Sequence, residues 1–498
     1  MPRFIDISGT PPITAAADVR AAIGMTGEDG RQAINADFYV NALDYGVVGD
    51  DSTDDTAALQ SWVEAVVAAQ GRGFLPTGTY KITDTITVPS GYGWEIHGEN
   101  KNYTTIKQYT DNTPILQLGT TAGASSHSYV LDNLYLRFAN AQPVTNTSGN
   151  CITFEGPNTG DTSVAYNCRY TRLQFTNAYY GFKYKSGVFG PWGCRFDDFW
   201  MGTMSGGLLE NTGATGGCPN NVWGRMSLNC SGAAGPIFNQ WRGTNLAVEA
   251  LEFLNADQGP NLITTSSGFT ASIQSMKLEL ATYTAAQALF NFTGNFNVNI
   301  DDIKITGSTA VFTPPSSWVS IVQVGSGGIS KGSHLDIGLI EASATSLSGG
   351  CYAVSGGGKN GRVSVGVVEL ANGWALQNVS GTTTGNFIEV RSWVNGALSD
   401  GQGDADLTVA VGDPNVIHFN TTFTAQRTIT LPAKLGNNLC SGLYYDLIFD
   451  GAINGANTAV IKEGSNTLRT QSTDGKRLRY MWRRAAWVLV DVADLTLT

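Results

Sequence analysis

The residues best suited to chemistry in this chain are carboxylates that recur in similar settings. Glu252, Glu279, Glu341 and Glu369 each stand between two apolar residues, and Asp198 and Asp302 lie close to other members of the same series. Two carboxylates held about 5 Å apart repel by roughly 3 kcal/mol at an effective dielectric of about 20, which raises one pKa by roughly two units. One member then stays protonated as a general acid while the other serves as base or nucleophile. Such a pair cleaves glycosidic bonds: about 5 to 5.5 Å suits retention, and about 6.5 to 9.5 Å suits inversion. If the segments stack, Glu252 and Glu279 become neighbours about 4.8 Å apart, and Asp198 stands two coils from Glu252, about 9.6 Å away. Glu252 and Glu279 are therefore the expected acid and base or nucleophile. Asp198 and Asp302, the latter diagonal to Glu279, are their substitutes. The competing reading is a solvated acidic face neutralised by Lys277 and Lys304.

Neighbouring residues extend the same chemistry. Trp200 and Tyr135 project from the proposed face, where flat rings stack on the apolar faces of sugars or else fill a contact between subunits. Arg172 and Arg225 suit the carboxylates of an acidic polysaccharide, or a salt bridge to Asp198 between them. Arg172, Arg225, Lys277 and Lys304 complete the candidate substrate-binding set. Other mechanisms lack their residues. His97, His127, His334 and His418 are scattered outside any HxxxH or GxSxG setting, and GSGGIS and SGGGKNG lack the Walker spacing. No metal and no cofactor is expected. The Asp400, Asp404, Asp406 spacing is a weak calcium-loop echo that reads better as a solvated turn. The seven cysteines show no CxxC or CxxH spacing, so they are expected as small buried residues with reduced thiols.

Residues so far apart meet only if the chain coils. Anchoring each segment on a polar residue between two apolar ones gives Tyr135, Gln174, Trp200, Ser227, Glu252, Glu279, Lys304, Glu341 and Glu369. Successive anchors are 39, 26, 27, 25, 27, 25, 37 and 28 residues apart, so six of eight intervals fall between 25 and 28. Three short strands with their turns need about that many residues per coil, and the two long intervals fit loop insertions. A parallel β-helix is the best fit, its flanking apolar residues pointing inward and its anchors outward. Ahead of it, Leu59, Trp62, Val63, Val66 and Val67 form a helical apolar stripe, with Thr53, Asp54 and Asp55 placed to cap it. The last ~95 residues, with RTITLP, LYYDLIFDG, NTAVIKEG and WVLVDV, read as a separate antiparallel sandwich. There, Lys476, Arg477, Arg479, Arg483 and Arg484 among Trp482 and Trp487 would grip an anionic glycan or make sheet and subunit contacts. The expected organisation is an N-terminal attachment or connector segment over 1–37, a β-helix over 38–398, and a C-terminal sandwich for trimerisation or glycan binding over 399–498.

Composition narrows the partners. Thirty Lys plus Arg against 41 Asp plus Glu gives a net charge of −11, which argues against nucleic acid. Sixty glycines alongside 42% hydrophobic and 10% aromatic residues describe a turn-rich folded protein, not disorder. No apolar run reaches the ~18 residues that span a bilayer, so no membrane insertion is expected. The N-terminus lacks the apolar core of a secretory signal.

The segment NALDYGVVGDDSTDDTAALQ followed by GRGFLPTGTYKIT resembles the opening of the pectate-lyase-like β-helix family, common in bacteriophage tailspikes and capsule depolymerases. The resemblance is close over residues 41 to about 106. It implies an all-β, right-handed parallel β-helix solenoid with an N-terminal capping helix and a C-terminal β-sandwich domain. It further implies a homotrimeric tailspike in the virion tail, joined through its N-terminus to phage tail or adaptor proteins, acting on bacterial surface polysaccharide. Because lyases, hydrolases and non-catalytic spikes share this opening, it implies no catalytic residues. Glycoside hydrolysis by an endoglycosidase is the expected activity; a polysaccharide lyase and a glycan receptor without activity are the alternatives.

Overall fold

The structure is a computed structural model that describes residues 39–494, except 120–125, 156–164, 186, 188–189, 212–217, 219, 232, 256–261, 266–267, 280–281, 284–287, 293–294, 307–310, 313–317, 325–332, 343–345, 348–349, 357–361, 371–373, 380–386, 396–398, 410–415, 433–439, 442–443 and 484–485. The expected connector over 1–37 lies outside the described residues.

The chain coils into a parallel β-helix. Among the described residues its principal sheet has 20 strands and a second sheet has 11, the latter paired in parallel from Ile86–Val88 to Trp374–Val379. The alternating pattern explains this: inward residues such as Leu136, Phe175, Met201, Leu228, Phe253 and Ile305 are fully buried. Aromatic rings stack from rung to rung through the core. Phe196 lies between Tyr170, with ring centroids 4.8 Å apart, and Trp223, at 4.2 Å. Burying each such side chain contributes about 1.5 to 3 kcal/mol.

The rungs change character along the axis. In the early ones the principal sheet is interrupted by a single residue in the left-handed region, Asn133, Arg172 or Asp198, with φ of 64°, 51° and 53°. Asn and Asp reach this region easily through their short polar side chains. From Val222–Asn229 onward the two strands merge into one long strand per rung, as in Leu246–Leu254, Phe269–Glu279 and Phe296–Thr306.

The helix Thr56–Ala69 buries the expected stripe of Leu59, Trp62, Val63, Val66 and Val67. It also closes a sheet edge. Gln60 Nε2 donates to Thr87 O at 2.9 Å, and Thr87 N–H donates to Gln60 Oε1 at 2.8 Å, so one side chain satisfies both backbone groups of an edge residue in Ile86–Val88. Capping at the helix start differs from expectation. Asp54 accepts from the Thr56 amide at 3.0 Å, whereas buried Asp55 turns away to accept from the Val48 and Gly49 amides at 2.6 and 3.0 Å.

The C-terminal region forms a five-stranded and a four-stranded sheet, as a sandwich requires, but not a purely antiparallel one. Ser399–Gln402, Val416–Phe419 and Tyr444–Phe449 pair in parallel, whereas Lys476–Arg483 pairs antiparallel with Tyr444–Phe449 and Ala486–Asp494, and in the other sheet Ala459–Glu463 pairs antiparallel with Asn466–Gln471. The sequence SDGQGDAD is thus no simple linker: it contributes a strand, and Asp404 pairs with Arg427 at 2.6 Å. Three members of the basic cluster are paired within their own domain, while the side chains of Arg483 and Arg484 lie outside what the structure describes. Arg477 pairs with Asp491, Arg479 with Asp446, each at 2.7 Å, and Lys476 with Asp494, while Trp482 packs on Trp487 in the interior. Cys151, Cys168, Cys194, Cys218 and Cys230 are buried free thiols, as expected.

Candidate functional site

Strand pairing gives a two-dimensional grid on the outer face. One column runs Tyr135, Gln174, Trp200, Ser227, Glu252, Lys277, Lys304, Glu341, Glu369. It coincides with the sequence-derived series at every member but one. The partner of Glu252 is Lys277; Glu279 lies two residues further along, opposite Leu254 and Thr306. Glu252 and Glu279 are therefore not stacked neighbours. One rung and two residues separate their Cα atoms by about 8 Å.

The electrostatics follow from that register. Lys277 Nζ sits 2.8 Å from Glu252 Oε1, and Ser227 Oγ donates to Glu252 Oε2 at 2.9 Å. The hydrogen bond from Lys277, followed by that from Ser227, holds the Glu252 carboxyl below its ordinary value. The Glu252 carboxyl is thus held in its ionised form, and no second carboxylate stacks on it. Lys277 is held above its ordinary value in return, chiefly by the same hydrogen bond. Lys304, stacked on Lys277, pairs instead with Glu341 at 3.8 Å.

A second column lies at the bend, one position before the inward residues Leu173, Phe199, Met226, Leu251, Met276 and Ile303. It places Arg172, Asp198, Arg225, Ala250, Ser275 and Asp302 in order. Arg172 and Arg225 do flank Asp198, but neither pairs with it. Arg172, with its left-handed backbone, binds Asp132 through Nε at 2.8 Å and through a second guanidinium nitrogen. Asp198 pairs with Lys101 at 2.7 Å, from a loop the sequence analysis did not single out. Asp302 accepts from Ser275 Oγ at 2.6 Å and lies four residues from the rung partner of Glu279, not diagonal to it.

The two columns bound a groove of about 710 Å3 lined by Lys101, Gln174, Asp198, Trp200, Arg225, Ser227, Glu252, Ser275 and Lys277. The structure thus gathers Asp198, Trp200, Arg225, Glu252 and Lys277. It leaves outside the lining Tyr135, whose hydroxyl bonds Thr176 Oγ1 at 2.7 Å, together with Arg172, Glu279, Asp302 and Lys304. Trp200 is 37% exposed, a ring available for stacking. Among the described residues Arg225 has no ion-pair partner. The groove therefore holds cations at Lys101, Arg225 and Lys277 against carboxylates at Asp198 and Glu252, an excess of one positive charge on a chain of net charge −11. Ser227 was visible one repeat before Glu252 in sequence, whereas Lys101 carried no periodic signal. No group of three or more potential metal ligands occurs among the described residues, and no described helix is long and apolar enough to cross a membrane.

Residues 39–259 match the family described as rhamnogalacturonase A/epimerase, pectate lyase-like. No curated protein matches the chain. Among solved structures, a tailspike mutant of E. coli bacteriophage HK620 in complex with a pentasaccharide is similar at 12% identity and a TM-score of 0.44, covering 93% of this chain and 86% of its own. The Azotobacter vinelandii mannuronan C-5 epimerase A-module is similar at 15% identity and a TM-score of 0.38, over 70% of this chain and 99% of its own. The Streptococcus pneumoniae surface protein and adhesin PfbA is similar at 10% identity and a TM-score of 0.39, over 72% of this chain and 100% of its own. Residues 39–259 thus match a pectate-lyase-like family model, and they fold as the parallel β-helix that the opening segment implies.

Proposed function

We propose that this protein recognises and depolymerises a bacterial surface polysaccharide in the groove between Asp198 and Lys277, by glycoside hydrolysis, as a phage tailspike. The observation that carries the reading is the groove itself: an exposed indole, an unpaired guanidinium and two carboxylates converge on one open channel along the rungs. Glu252, kept ionised by Lys277 and Ser227, is the base. Asp198 is the acid, with a sugar displacing Lys101 from its carboxyl. Their Cα atoms are two rungs and two residues apart, about 12 Å, a span across which side chains must lean inward to reach the ~6.5 to 9.5 Å of an inverting pair. Assembly as a homotrimer, attachment through the N-terminus to a phage tail or adaptor, and a place in the virion tail belong to the same reading. So does the division into 1–37, 38–398 and 399–498.

A second reading has its own observation. Both groove carboxylates are matched by ammonium groups within 2.8 Å, an arrangement that binds hydroxyls without needing to transfer protons. On that reading the spike holds glycan without cutting it. Incubation with bacterial capsular and O-antigen polysaccharides, followed by chain-length measurement, separates the two. Shortened chains support hydrolysis, binding with unchanged length supports the receptor, and products that absorb in the ultraviolet as unsaturated sugars replace hydrolysis by elimination.

A further inference from the structure

A row of rings lies outside the groove. Tyr92, His127, Tyr166 and Trp192 occupy matching positions on four consecutive rungs, joined by the parallel bridges Tyr92 to His127, His127 to Tyr166 and Tyr166 to Trp192. The turn chemistry holds them there. Each precedes a left-handed residue, Gly93, Ser128, Asn167 or Gly193, with φ of 70°, 56°, 54° and 65°. That bend turns the next residue, Trp94, Tyr129, Cys168 or Cys194, into the core and the ring outward. Tyr92, Trp192 and Tyr166 are 51%, 49% and 41% exposed, unusual for side chains of this size on three of four successive rungs.

The rings form two pairs. Tyr92 and His127 stack with centroids 5.0 Å apart and planes within 7°, and Tyr166 meets Trp192 edge to face at 5.6 Å and 85°. No ring contact joins His127 to Tyr166 among the described residues. Six residues separate Trp192 from Asp198 along one rung, roughly 20 Å of extended chain, and the charged positions between them, including Arg195 and Asp197, pair with one another at 2.7 Å. The row is therefore separate from the groove.

We propose that this row is a second carbohydrate-binding track that holds a stretch of the polysaccharide apart from the segment in the groove. The row repeats every ~4.8 Å along the rungs, so an extended polymer lying along it meets the exposed rings of Tyr92, Tyr166 and Trp192 in turn. Amphipathic rings suit that ligand, offering an apolar face beside a hydroxyl, an imidazole or an indole N–H. Nucleic acid, the other polymer with stacking rings, is disfavoured by the net charge of −11. The inference rests on the reading of this protein as a polysaccharide binder.

The test compares wild type with Tyr92→Ala/Tyr166→Ala/Trp192→Ala and with Trp200→Ala on an array of bacterial capsular and O-antigen polysaccharides, with sedimentation velocity on each variant. Each lost ring costs about three- to ten-fold, so the triple variant should bind the polymer at least tenfold more weakly at an unchanged sedimentation coefficient. Trp200→Ala should weaken groove binding separately, and combining it with the triple variant should abolish retention. Wild-type affinity in the triple variant overturns the track. A lower sedimentation coefficient also overturns it, because the row is then a contact between copies. Binding lost in Trp200→Ala alone leaves the groove reading intact while refuting the track, and wild type that binds no glycan refutes both.

Discussion

Replacing Glu252 by glutamine separates the roles of fold and chemistry at the groove. The substitution keeps the shape and the capacity to accept from Ser227 Oγ, now 2.9 Å away, and removes the charge facing Lys277. The Lys277 and Glu252 side chains are 44% and 35% exposed, so water screens the pair and its contribution is that of a surface ion pair, about 0.2 to 1 kcal/mol. Glu279 also attracts Lys277, so the ammonium does not become an isolated charge. Loss of a general base costs about 10²- to 10⁴-fold in rate, or roughly 3 to 5.5 kcal/mol of barrier. Glu252→Gln should therefore melt within about 1 kcal/mol of wild type while cleaving the polysaccharide at least a hundredfold more slowly. Chain length followed by size-exclusion chromatography, beside thermal melting, reads both quantities. Wild-type cleavage refutes the role of Glu252, and unfolding refutes the screening argument.

Four further outcomes follow from the packing. His97 lies between Asp132 Oδ2 at 3.1 Å and Glu95 Oε2 at 3.0 Å, and its pKa is raised above 6.5, first by the hydrogen bond to Asp132. Its contribution is complete below pH 6.5 and is lost as pH rises through the raised value. For Asp132, burial opposes the charge but hydrogen bonds from His97, Arg172 and Thr171 outweigh it, so the pKa is depressed below 3.8 and that contribution is lost only as pH falls through the depressed value. Wild type should thus lose stability as pH rises beyond 6.5 more steeply than His97→Gln, itself weaker by about 1 to 3 kcal/mol at pH 5; parallel pH–melting curves contradict this. Gln60→Leu, which strips both backbone partners from Thr87, should cost about 1 to 3 kcal/mol in urea unfolding, and an unchanged midpoint contradicts the edge closure. Phe196→Ala, opening the stack between Tyr170 and Trp223, should cost about 3 to 5 kcal/mol, or the core would be shown to collapse around the loss. Dithiothreitol should leave the melting temperature unchanged, since the five described cysteines are free, and a lowered one would reveal a disulfide.

The coil and the groove were legible to different degrees, for physical reasons. Eight of nine anchors fell on the true column because inward and outward positions alternate strictly and each rung repeats the alternation. The miss at Glu279 came from the segment Met276-Lys277-Leu278-Glu279-Leu280, where two polar residues each stand between apolar ones. A slip of two residues preserves every inside-outside assignment, so periodicity cannot detect it and only hydrogen-bond pairing fixes it. That single slip exchanged a lysine for a carboxylate and reversed the electrostatics expected at Glu252. Arg172 was misplaced because its partner Asp132 belongs to the preceding rung across a bend, beyond any local spacing rule. Lys101 was invisible because it enters from a loop between strands. In the C-terminal region, short alternating strands read as antiparallel, since alternation reports burial and not strand direction.

The central claim is that the glycan lies across the rungs between Asp198 and Lys277. A crystal structure of Glu252→Gln soaked with a hexasaccharide from a polysaccharide the protein retains tests it most directly. The account predicts a sugar ring on Trp200, a polar or anionic group within hydrogen-bonding distance of Arg225, and a glycosidic oxygen near Asp198. Oligosaccharide bound elsewhere, with this groove empty, would contradict it.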